Sequence, residues 1–337
     1  MIRTEVIIVG GGPAGATCAW ALRRHGVACV VLERELFPRV KLCAGWITPD
    51  VFRDLALDPS DYPHGLTRLE GLHLSVAGLK LRLPSRQTAI RRVEFDDFLL
   101  QRADVPVYTH HAREIIRRDG GYVVDGRFFG RYLVGAGGTH CPVARTFFDT
   151  VKPRSHESLI VTQEEEFPYQ VAEEARVSPQ SQTCHLWFLE NGLPGYAWYV
   201  PKVGGYVNVG VGGNAAKLKA RGDSIHRHWD RLLTHLEDLN LVRGYAFSPR
   251  GHAYYLRQQM RPVQIGRALI VGDAAGLATA DMGEGIRPAI QSGLLAADAI
   301  VSGRDVSFAD IRRWSQLPLI GRLLAAVCRQ PRALVLS

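Results

Sequence analysis

Residues 6–15 read VIIVGGGPAG, an apolar β-branched run that leads directly into a glycine-rich turn. A helical stretch follows at residues 16–25, and a second apolar run at 28–32 ends in Glu33. Strand, turn, helix and second strand together occupy about thirty residues, the length of a βαβ unit. We therefore predict an α/β fold that begins with a Rossmann-like parallel sheet.

The three glycines of this turn have separate physical roles. Gly10 permits the tight turn, Gly12 lets backbone N–H groups approach a pyrophosphate, and Gly15 lets the helix pack closely on the strand. Glu33 follows at about the twenty-residue distance at which an acid accepts hydrogen bonds from a ribose. An ordinary βα connection needs no such acid, so the combination predicts a dinucleotide, and NAD and FAD fit this motif equally.

A second segment, near the other end of the chain, favours FAD. Residues 270–276 read IVGDAAG and residues 283–287 read GEGIR. Asp273 at the end of a strand, among small residues, leaves room for a ribityl hydroxyl beside the backbone. The helix that begins at Glu284 offers its N–H groups to a reduced flavin, an interaction worth about 0.3–2 kcal/mol. Asp273 as a simple helix cap is the alternative, but it does not explain the glycines.

Composition places the chain among soluble globular proteins. It has 337 residues, 46% hydrophobic and 22% charged, which excludes collagen-like, disordered and disulfide-scaffold classes and suits two domains. Lys and Arg number 41 against 33 Asp and Glu, a net charge of +8. Because the basic residues are scattered along the chain, they indicate a surface rich in arginine, and we expect no nucleic-acid partner.

The spacing of the cysteines and the sequences near the two termini are used to predict the cellular location. Six cysteines without CxxC spacing predict neither a metal site nor a disulfide framework, as expected in the reducing cytoplasm. We detect no signal peptide, because the first apolar run passes straight into glycines. The apolar run Leu317–Cys328 is too short to span a bilayer and contains Arg322, so peripheral membrane contact is the most it supports.

The pattern of apolar residues divides the chain into four parts. Alternation over residues 66–83 predicts an antiparallel hairpin around Ala77-Gly78. We predict a discontinuous FAD-binding domain with an inserted antiparallel-sheet substrate domain. The predicted parts are 1–150 (first part of the FAD-binding domain, with a small hairpin insertion at about 62–92), 151–255 (substrate domain), 256–305 (second part of the FAD-binding domain) and 306–337 (helical tail).

Several segments together resemble the geranylgeranyl reductase family, within the FAD-dependent enzymes of the p-hydroxybenzoate hydroxylase fold. The segments are GGGPAGATCAWAL at 10–22, FPRVKLC at 37–43, Arg92-x-x-Phe95-Asp96, YAWYVPK at 196–202, NVG at 208–210, GDAAG at 272–276 and GEGIR at 283–287. The resemblance spans most of the chain. Its first and last segments are shared by the wider fold, whereas the Tyr-Ala-Trp and Lys-x-Cys segments are specific to the family.

The resemblance implies roles for individual residues. The residues that would hold the ADP part of FAD are Gly10, Gly12, Pro13, Ala14, Gly15, Glu33 and Arg34. Arg92 would reach the phosphate or ribityl region, and the residues near the ribityl chain and flavin ring would be Gly272, Asp273, Gly283, Gly285 and Ile286. Lys41, Cys43 and Ala44 would lie on the loop that faces the isoalloxazine.

The candidate catalytic residues are Cys43, Tyr196 and Trp198, with the two aromatic residues and Pro201 walling a substrate cavity. A core aromatic is an equally good interpretation of Trp198, and a small buried apolar residue is one of Cys43.

The chain departs from the family pattern at two places. Cys43-Ala44-Gly45 stands where the family has Cys-Gly-Gly, and alanine tolerates a positive φ poorly. Residues 135–138 read GAGG where most members have Ala-Asp-Gly, so the acid that touches both FAD and the nicotinamide is missing. NAD(P)H therefore remains a candidate electron donor that we expect to react slowly, and an electron-donor protein is a candidate partner.

The resemblance implies reduction of carbon–carbon double bonds in a hydrophobic, isoprenoid-like substrate. The alternative is a flavin-dependent monooxygenase acting on an aromatic or polyketide-like small molecule. A halogenase is disfavoured, because residues 196–201 read YAWYVP where halogenases have Trp-x-Trp-x-Ile-Pro. A third hypothesis is a flavoprotein without catalytic activity that binds FAD and a partner through its basic surface.

Overall fold

The computed structural model describes residues 1–169, 182–258 and 262–315, and this part of the chain forms three β-sheets and six α-helices. The helices are α1 (Pro13–Arg24), α2 (Asp50–Asp54), α3 (Arg92–Ala103), α4 (Ala215–Ala220), α5 (Ile225–Asp238) and α6 (Ile286–Ser302). The strands are β1 (Ile2–Val9), β2 (Cys29–Glu33), β3 (Trp46–Ile47), β4 (Thr67–Arg68), β5 (Gly71–Val76), β6 (Leu79–Pro84), β7 (Thr88–Ala89), β8 (Val107–Thr109), β9 (Ile115–Arg118), β10 (Gly121–Val124), β11 (Phe128–Gly135), β12 (Leu159–Pro168), β13 (Thr183–Phe188), β14 (Gly195–Lys202), β15 (Tyr206–Asn214), β16 (Arg250–Tyr255), β17 (Gln264–Ile265) and β18 (Ala268–Ile270).

The first sheet joins the two ends of the described chain. Its order is β17-β18-β11-β1-β2-β8, with β9 and β10 as an antiparallel extension of β11. Strands β18, β11, β1, β2 and β8 run parallel, so the segment at 268–270 pairs directly with the glycine-turn half of the sheet. A parallel sheet flanked by helices, beside a largely antiparallel one, confirms the predicted α/β fold class.

Helices α1 and α6 pack against each other over this sheet, because small residues line their contact. A Cβ on Gly293 of α6 would overlap the carbonyl oxygen of Ala14 on α1. Helix α1 begins at Pro13, three residues before the predicted start, since proline at the first helical position has its φ already set and lacks an N–H that would be unpaired there. The close packing brings the N-terminal ends of both helices to the same edge of the sheet.

The second sheet has seven strands in the order β16-β12-β15-β14-β13-β5-β6. The predicted hairpin around Ala77 forms, with Ala77 at φ 48° and Gly78 at φ 89°. Its strand β5 pairs in parallel with β13, which lies more than a hundred residues later in the chain. The hairpin segment therefore extends the second sheet, although it is inserted in the sequence of the first part of the chain.

Successive side chains of each strand in the second sheet point to opposite faces, as the pleat requires. Ala197 and Tyr199 lie in the apolar cluster beneath helix α5, together with Trp229 of that helix. Trp198 and Val200 lie in the cluster on the opposite face. One side of the sheet is therefore covered by α5, and the other carries the aromatic residues predicted to face a substrate.

The third sheet is small, in the order β3-β7-β4. Residues 306–315 were expected to begin a helical tail, but they form no helix. Phe308 and Ile311 are buried, and their carbonyl oxygens accept hydrogen bonds from the Arg257 guanidinium, which holds this segment in an irregular path. The rest of the predicted tail lies outside the described residues. Among the described helices, none has the length and apolar character needed to cross a membrane.

His185, on the α5 side of the second sheet, leads to a prediction about stability. Its ring lies 4.8 Å from that of His73 and 5.6 Å from that of Trp187, between centroids. Burial, with the charges of His73, His235 and Arg82, lowers the pKa of His185 to about 4. Between pH 6.5 and 4 the unfolded chain thus binds a proton that the folded protein does not, so the stability that His185 contributes above pH 6.5 is lost as the pH falls.

Below pH 6.5 the unfolding free energy should therefore fall less steeply with decreasing pH in His185→Gln than in the wild type. We expect the slope to differ by up to about 1.4 kcal/mol per pH unit. Urea unfolding at several pH values between 4.5 and 7 measures the slope. The matched control is His25→Gln, at an exposed position just after α1. Equal slopes in the wild type and in His185→Gln would contradict the prediction.

Candidate functional site

A cavity of about 590 Å³ lies between the two large sheets, at the carboxyl ends of the parallel strands. This is the edge at which ligands bind in open α/β sheets. Every predicted site residue except Gly15 and Pro201 lines it. The lining residues among them are Gly10, Gly12, Pro13, Ala14, Glu33, Arg34, Lys41, Cys43, Ala44, Arg92, Tyr196, Trp198, Gly272, Asp273, Gly283, Gly285 and Ile286. Pro201 was expected to wall the cavity, but the pleat places it on the face of β14 that Ala197 and Tyr199 share, beneath α5.

The glycine turn explains why Gly15 is not in the lining. A Cβ on Gly15 would overlap the carbonyl oxygen of Gly10, so this glycine is required by contact within the protein. Gly10 has φ 112°, and a Cβ there would overlap the backbone of Ala136. Gly12 differs, because its missing Cβ would find only the Arg39 guanidinium, at 3.5 Å. Gly12 therefore leaves open space on the cavity side of the turn.

Two helix ends open onto this cavity without a capping side chain. The N-cap residues are Gly12 for α1 and Gly285 for α6, and neither first turn contains an acid. Helices α4 and α5, away from the cavity, begin with the capping side chains of Asn214 and Ser224. The free N–H groups of α1 and α6 give the cavity two positive helix ends, which suit a bound anion or an electron-rich ring.

Glu33 is buried and already holds two backbone segments. Its Oε2 accepts a hydrogen bond from the Gly11 N–H at 2.7 Å, and its Oε1 accepts one from the Glu35 N–H at 3.1 Å. Each carboxylate oxygen keeps a further lone pair for a ligand hydroxyl. Arg34 lies at the rim, with its side chain 60% exposed and paired with Glu35. Glu33 therefore stabilises the glycine turn, in addition to its predicted role of accepting hydrogen bonds from a ribose.

Arg92 forms part of a rigid charged wall. Its Nε and one terminal nitrogen donate to the two oxygens of Asp96 at 2.6 and 2.8 Å, and Arg39 lies 3.4 Å from the same carboxylate. Burial alone would lower the pKa of Arg92, but the Asp96 charge raises it above its ordinary value. Arg92 therefore remains charged, and its fixed side chain presents a cation to the cavity.

The loop that carries Cys43 is free of the strain expected from its alanine. The positive φ, 67°, falls on Gly45, and Ala44 has an ordinary φ. A Cβ on Gly45 would overlap the Ile90 carbonyl oxygen, so the loop requires glycine at this position. Of the two glycines in the family's Cys-Gly-Gly pattern, this chain therefore has the one that the backbone needs. The Cys43 thiol accepts a hydrogen bond from the Gly45 N–H at 3.3 Å, and Lys202 donates to the Cys43 carbonyl at 3.4 Å.

Asp273 follows β18 in a turn that small residues hold close to α6. Gly272 has φ 59°, and its N–H donates to the Ser292 hydroxyl at 2.9 Å. Among the described residues the Asp273 carboxylate has no hydrogen-bond or ion-pair partner. It lies 3.5 Å from the space that a Cβ on Gly285 would fill. Asp273 is thus an acceptor in the cavity that no described protein group satisfies.

Tyr196 and Trp198 form an aromatic wall, with ring centroids 5.7 Å apart. The Tyr196 hydroxyl donates to the Met282 carbonyl oxygen at 2.6 Å, and burial raises its pKa well above the ordinary value. The Trp198 indole N–H donates to Asn208 Oδ1 at 2.6 Å. Because protein partners occupy these polar groups, the rings offer the cavity mainly apolar surface. Trp198 is also part of a buried apolar cluster, so it lines the cavity and packs as a core aromatic at the same time.

Several polar residues of the cavity were not predicted from the sequence, and two of them, Glu164 and His252, lie against each other. Glu164 lies on β12 and is 0% exposed, and its Oε1 is 3.2 Å from His252 Nδ1 on the neighbouring strand β16. Residues 164–166 read as three successive glutamates, a run that suggests a solvated strand. The detectable signal was the period of two, which places every second residue of β12 on the cavity face.

Comparison with known proteins relates the chain to FAD-dependent oxidoreductases. Residues 3–55 match the family model described as an FAD binding domain. The chain is 30% identical over 318 residues to an uncharacterized protein of Methanosarcina barkeri, covering 90% of this chain and 76% of that one. It is 27% identical to menaquinone reductase of Mycobacterium tuberculosis, covering 93% and 79%. It is 29% identical to chloroplastic geranylgeranyl diphosphate reductase of rice, Oryza sativa, covering 93% and 70%.

Solved structures share the fold. The crystal structure of a geranylgeranyl bacteriochlorophyll reductase-like protein from Thermoplasma acidophilum superposes with a TM-score of 0.75 at 18% identity, covering 98% of this chain and 84% of that one. The flavin-dependent brominase Bmp2 gives a TM-score of 0.68 at 19% identity, covering 90% and 80%. At these identities the superpositions support the fold and leave the reaction to be argued from the site.

Proposed function

Because the chain belongs to the geranylgeranyl reductase family and is an FAD-dependent oxidoreductase, we propose that it reduces a carbon–carbon double bond in an isoprenoid-like substrate. Relatives named as geranylgeranyl diphosphate reductase and menaquinone reductase support this choice. Both names describe reduction of molecules that carry long apolar chains. The observation that carries the proposal is the aromatic wall, which turns apolar ring surface toward the cavity.

The residues of the cavity fit FAD. The uncapped N-terminus of α1 with the open backbone at Gly12 matches a pyrophosphate, and the uncapped N-terminus of α6 matches an electron-rich ring system. The Asp273 carboxylate, which no described group satisfies, matches the hydroxyls of a ribityl chain. Arg92 adds a permanent cation to the same wall. When bound, reduced FAD supplies a hydride equivalent to the substrate.

Residues of the chain itself would bind the cofactor, hold the substrate and exclude water. Asp273 and the α1 and α6 N-termini would bind and orient the cofactor, and the loop at 43–45 would face its ring. Tyr196 and Trp198 would hold the substrate and exclude water, since each CH₂ group buried against them contributes about 0.8 kcal/mol. We assign Cys43 to this contact surface, since its thiol is a weak hydrogen-bond acceptor within its own loop.

The electron donor and the cellular location of the protein are two further parts of the proposal. Gly137 lines the cavity where the family's acid would lie, so a nicotinamide would lack that contact, and we keep NAD(P)H and an electron-donor protein as the two candidate donors. The described cysteines, Cys18, Cys29, Cys43, Cys141 and Cys184, are all free thiols, which suits the cytoplasm. The long apolar substrate suits transient contact with a membrane surface.

A monooxygenase is the second candidate, favoured by relatives such as an FAD-dependent monooxygenase of Aspergillus niger at 25% identity. Such an enzyme needs a flavin face open to O₂ inside a pocket that excludes water. Halogenation is less well supported, because Tyr196 stands in place of the first tryptophan of the halogenase motif.

The test is the mass of the product. Protein reduced anaerobically with dithionite is mixed with menaquinone or geranylgeranyl diphosphate, and the products are analysed by mass spectrometry. We expect a gain of two hydrogens that remains after any quinol has been reoxidised to the quinone. Two deuterium atoms should be incorporated when the solvent is D₂O, because the N–H of a reduced flavin exchanges with solvent. Free reduced FAD under the same conditions is the control. An added oxygen atom after admission of air, with no gain of hydrogens, would contradict the proposal and favour the monooxygenase.

A further inference from the structure

Glu164 is the most deeply buried acid in the cavity wall. It is 0% exposed, and neither of its oxygens accepts a hydrogen bond of normal geometry from the described residues, although the Asn208 side chain and the His252 ring are close to it. The next two acids of β12 are satisfied. Glu165 accepts from the Tyr245 hydroxyl at 2.9 Å and from the Ser248 N–H, and Glu166 pairs with Lys202 at 2.7 Å and with Arg91 at 2.9 Å. Burying a carboxylate without partners is costly, so a structural explanation for Glu164 is lacking.

Strand register places Glu164 next to the aromatic wall. Glu164 on β12 pairs with Gly210 on β15, and Gly210 pairs with Trp198 on β14. A Cβ on Gly210 would overlap the Trp198 ring and lie 2.7 Å from the Glu164 Cβ. With no side chain at Gly210, the acid and the indole ring meet above the sheet. The carboxyl group is therefore directly behind the surface proposed to hold the substrate.

His252 connects this buried acid to the cavity. Its Nδ1 lies 3.2 Å from Glu164 Oε1 and 2.6 Å from the Thr162 hydroxyl. The imidazole side chain is 22% exposed and lines the cavity, and Nε2 has no hydrogen-bond partner among the described residues. One ring nitrogen thus faces the acid and the other is free, the arrangement of a proton relay.

The charges around the pair set its protonation. Burial raises the pKa of Glu164 to about 7, although Lys202, Lys41 and the Asn208 side chain act in the opposite direction, and Glu166 adds to the rise. Burial, with Lys41 and Arg92, lowers the pKa of His252 to about 3. Near pH 7, therefore, the imidazole is neutral and the carboxyl group is available in its protonated form.

The two phenols that face the same space are poorer proton donors. Burial raises the pKa of Tyr196 and of Tyr254 above the ordinary value, and the Tyr196 hydroxyl is already donated to Met282. Glu284 is the other cavity acid whose pKa burial raises to about 7, and its Oε1 lacks a hydrogen-bond partner among the described residues. It belongs to the segment that begins α6, so it serves as the competing donor in the test.

We propose that Glu164 and His252 form the relay that delivers the proton to the substrate carbon, a step that rests on the proposed function. Saturating a double bond adds a hydride equivalent at one carbon, from a reduced flavin, and a proton at the other. The His252 Nε2–H bond breaks as the new C–H bond forms. The Glu164 O–H bond breaks as an Nδ1–H bond forms, which leaves a carboxylate and a neutral imidazole with its proton on Nδ1. The pair is restored when Nε2, on the cavity side, takes a proton from solvent and the Nδ1 proton returns to the buried Glu164 carboxylate.

The experiment compares Glu164→Gln and His252→Gln with Glu165→Gln, a matched loss of charge at the next residue of β12. We expect double-bond reduction at pH 7 to fall at least about 100-fold in the first two variants and to stay within about twofold in the third. In the wild type the rate should fall as the pH rises through about 7, and Glu164→Gln should lose this dependence. Flavin content should be unchanged in all three.

A second measurement needs no turnover. Infrared difference spectra of the holoprotein between about pH 5.5 and pH 8.5, which span the expected pKa of about 7, should show the C=O band of a carboxylic acid. Because burial raises the pKa of Glu284 to about 7 as well, two components of this band are expected. One component should be lost in Glu164→Gln and the other in Glu284→Gln, and both should be kept in Glu165→Gln. A band lost only in Glu284→Gln, or full activity in Glu164→Gln, would overturn the relay while the proposed function stands.

If the wild type saturates no double bond at all, the proposed function fails and the relay loses its substrate. The infrared band then shows by itself whether the pair holds a proton, so the two failures are distinguished.

Discussion

Gly15→Ala should leave little folded, flavin-containing protein, whereas Gly12→Ala should fold normally and bind FAD weakly. The added methyl group of Gly15→Ala would overlap the Gly10 carbonyl oxygen, and backbone cannot move aside as a flexible side chain can. Forced overlap in a packed core costs about 3 kcal/mol, a large share of the stability of an ordinary domain. The same methyl group at Gly12 meets only the Arg39 guanidinium, at van der Waals distance.

Gly12→Ala is the matched control because it adds the same atom to the same turn. Gly12 has φ −69°, which alanine adopts readily, so the unfolding free energy of the flavin-free protein should fall by only about 1 kcal/mol. Its methyl group points to the open side of the turn, and we expect the FAD dissociation constant to rise at least about tenfold.

Both quantities are measured separately, by urea unfolding of the flavin-free protein and by fluorescence titration with FAD. Flavin removal is needed because bound ligand adds to the apparent stability. Equal unfolding free energies for the two variants would mean that the turn does not pack as the structure has it. Unchanged FAD affinity in Gly12→Ala would remove the turn from the binding site.

The parts of the fold that local sequence determines were predictable. The run at 6–15 and Glu33 produced β1, α1 and β2 within a few residues, because turn chemistry and apolar periodicity act over short distances. The partner of the hairpin was not predictable. Strand β5 pairs with β13 across more than a hundred residues, and the alternation within β5 carries no information about which distant strand completes its sheet.

The residues of the candidate site likewise fall into a group that the sequence predicts and a group that it does not. Glycine turns and strand-terminal acids point to ligand binding because a packed core has no use for them. The members of these segments that line the one cavity are Gly10, Gly12, Glu33, Gly272, Asp273, Gly283 and Gly285. Glu164 and His252 had no such signal. A glutamate in a polar strand is ordinarily solvated, and its burial here depends on Gly210 and Trp198 of two other strands. Contacts across three strands appear only once the sheet is assembled.

Asp273→Ala should lose most of its FAD, whereas Cys43→Ala should keep it. The Asp273 carboxylate has no partner among the described residues, so its removal should change the unfolding free energy of the flavin-free protein by less than about 0.5 kcal/mol. A hydrogen bond from a ligand hydroxyl to a carboxylate contributes about 1.5–3 kcal/mol, which corresponds to a rise of about 10- to 150-fold in the dissociation constant.

Cys43 bonds only within its own loop, and Lys202 holds that loop through the Cys43 carbonyl oxygen, which alanine retains. Cys43→Ala should therefore keep its flavin, and any defect should appear in substrate turnover. Flavin absorbance per protein after gel filtration, followed by FAD titration, measures both variants. Equal flavin loss in the two would make the 43–45 loop a structural support of the cofactor site, and full retention in Asp273→Ala would place the ribityl chain away from β18.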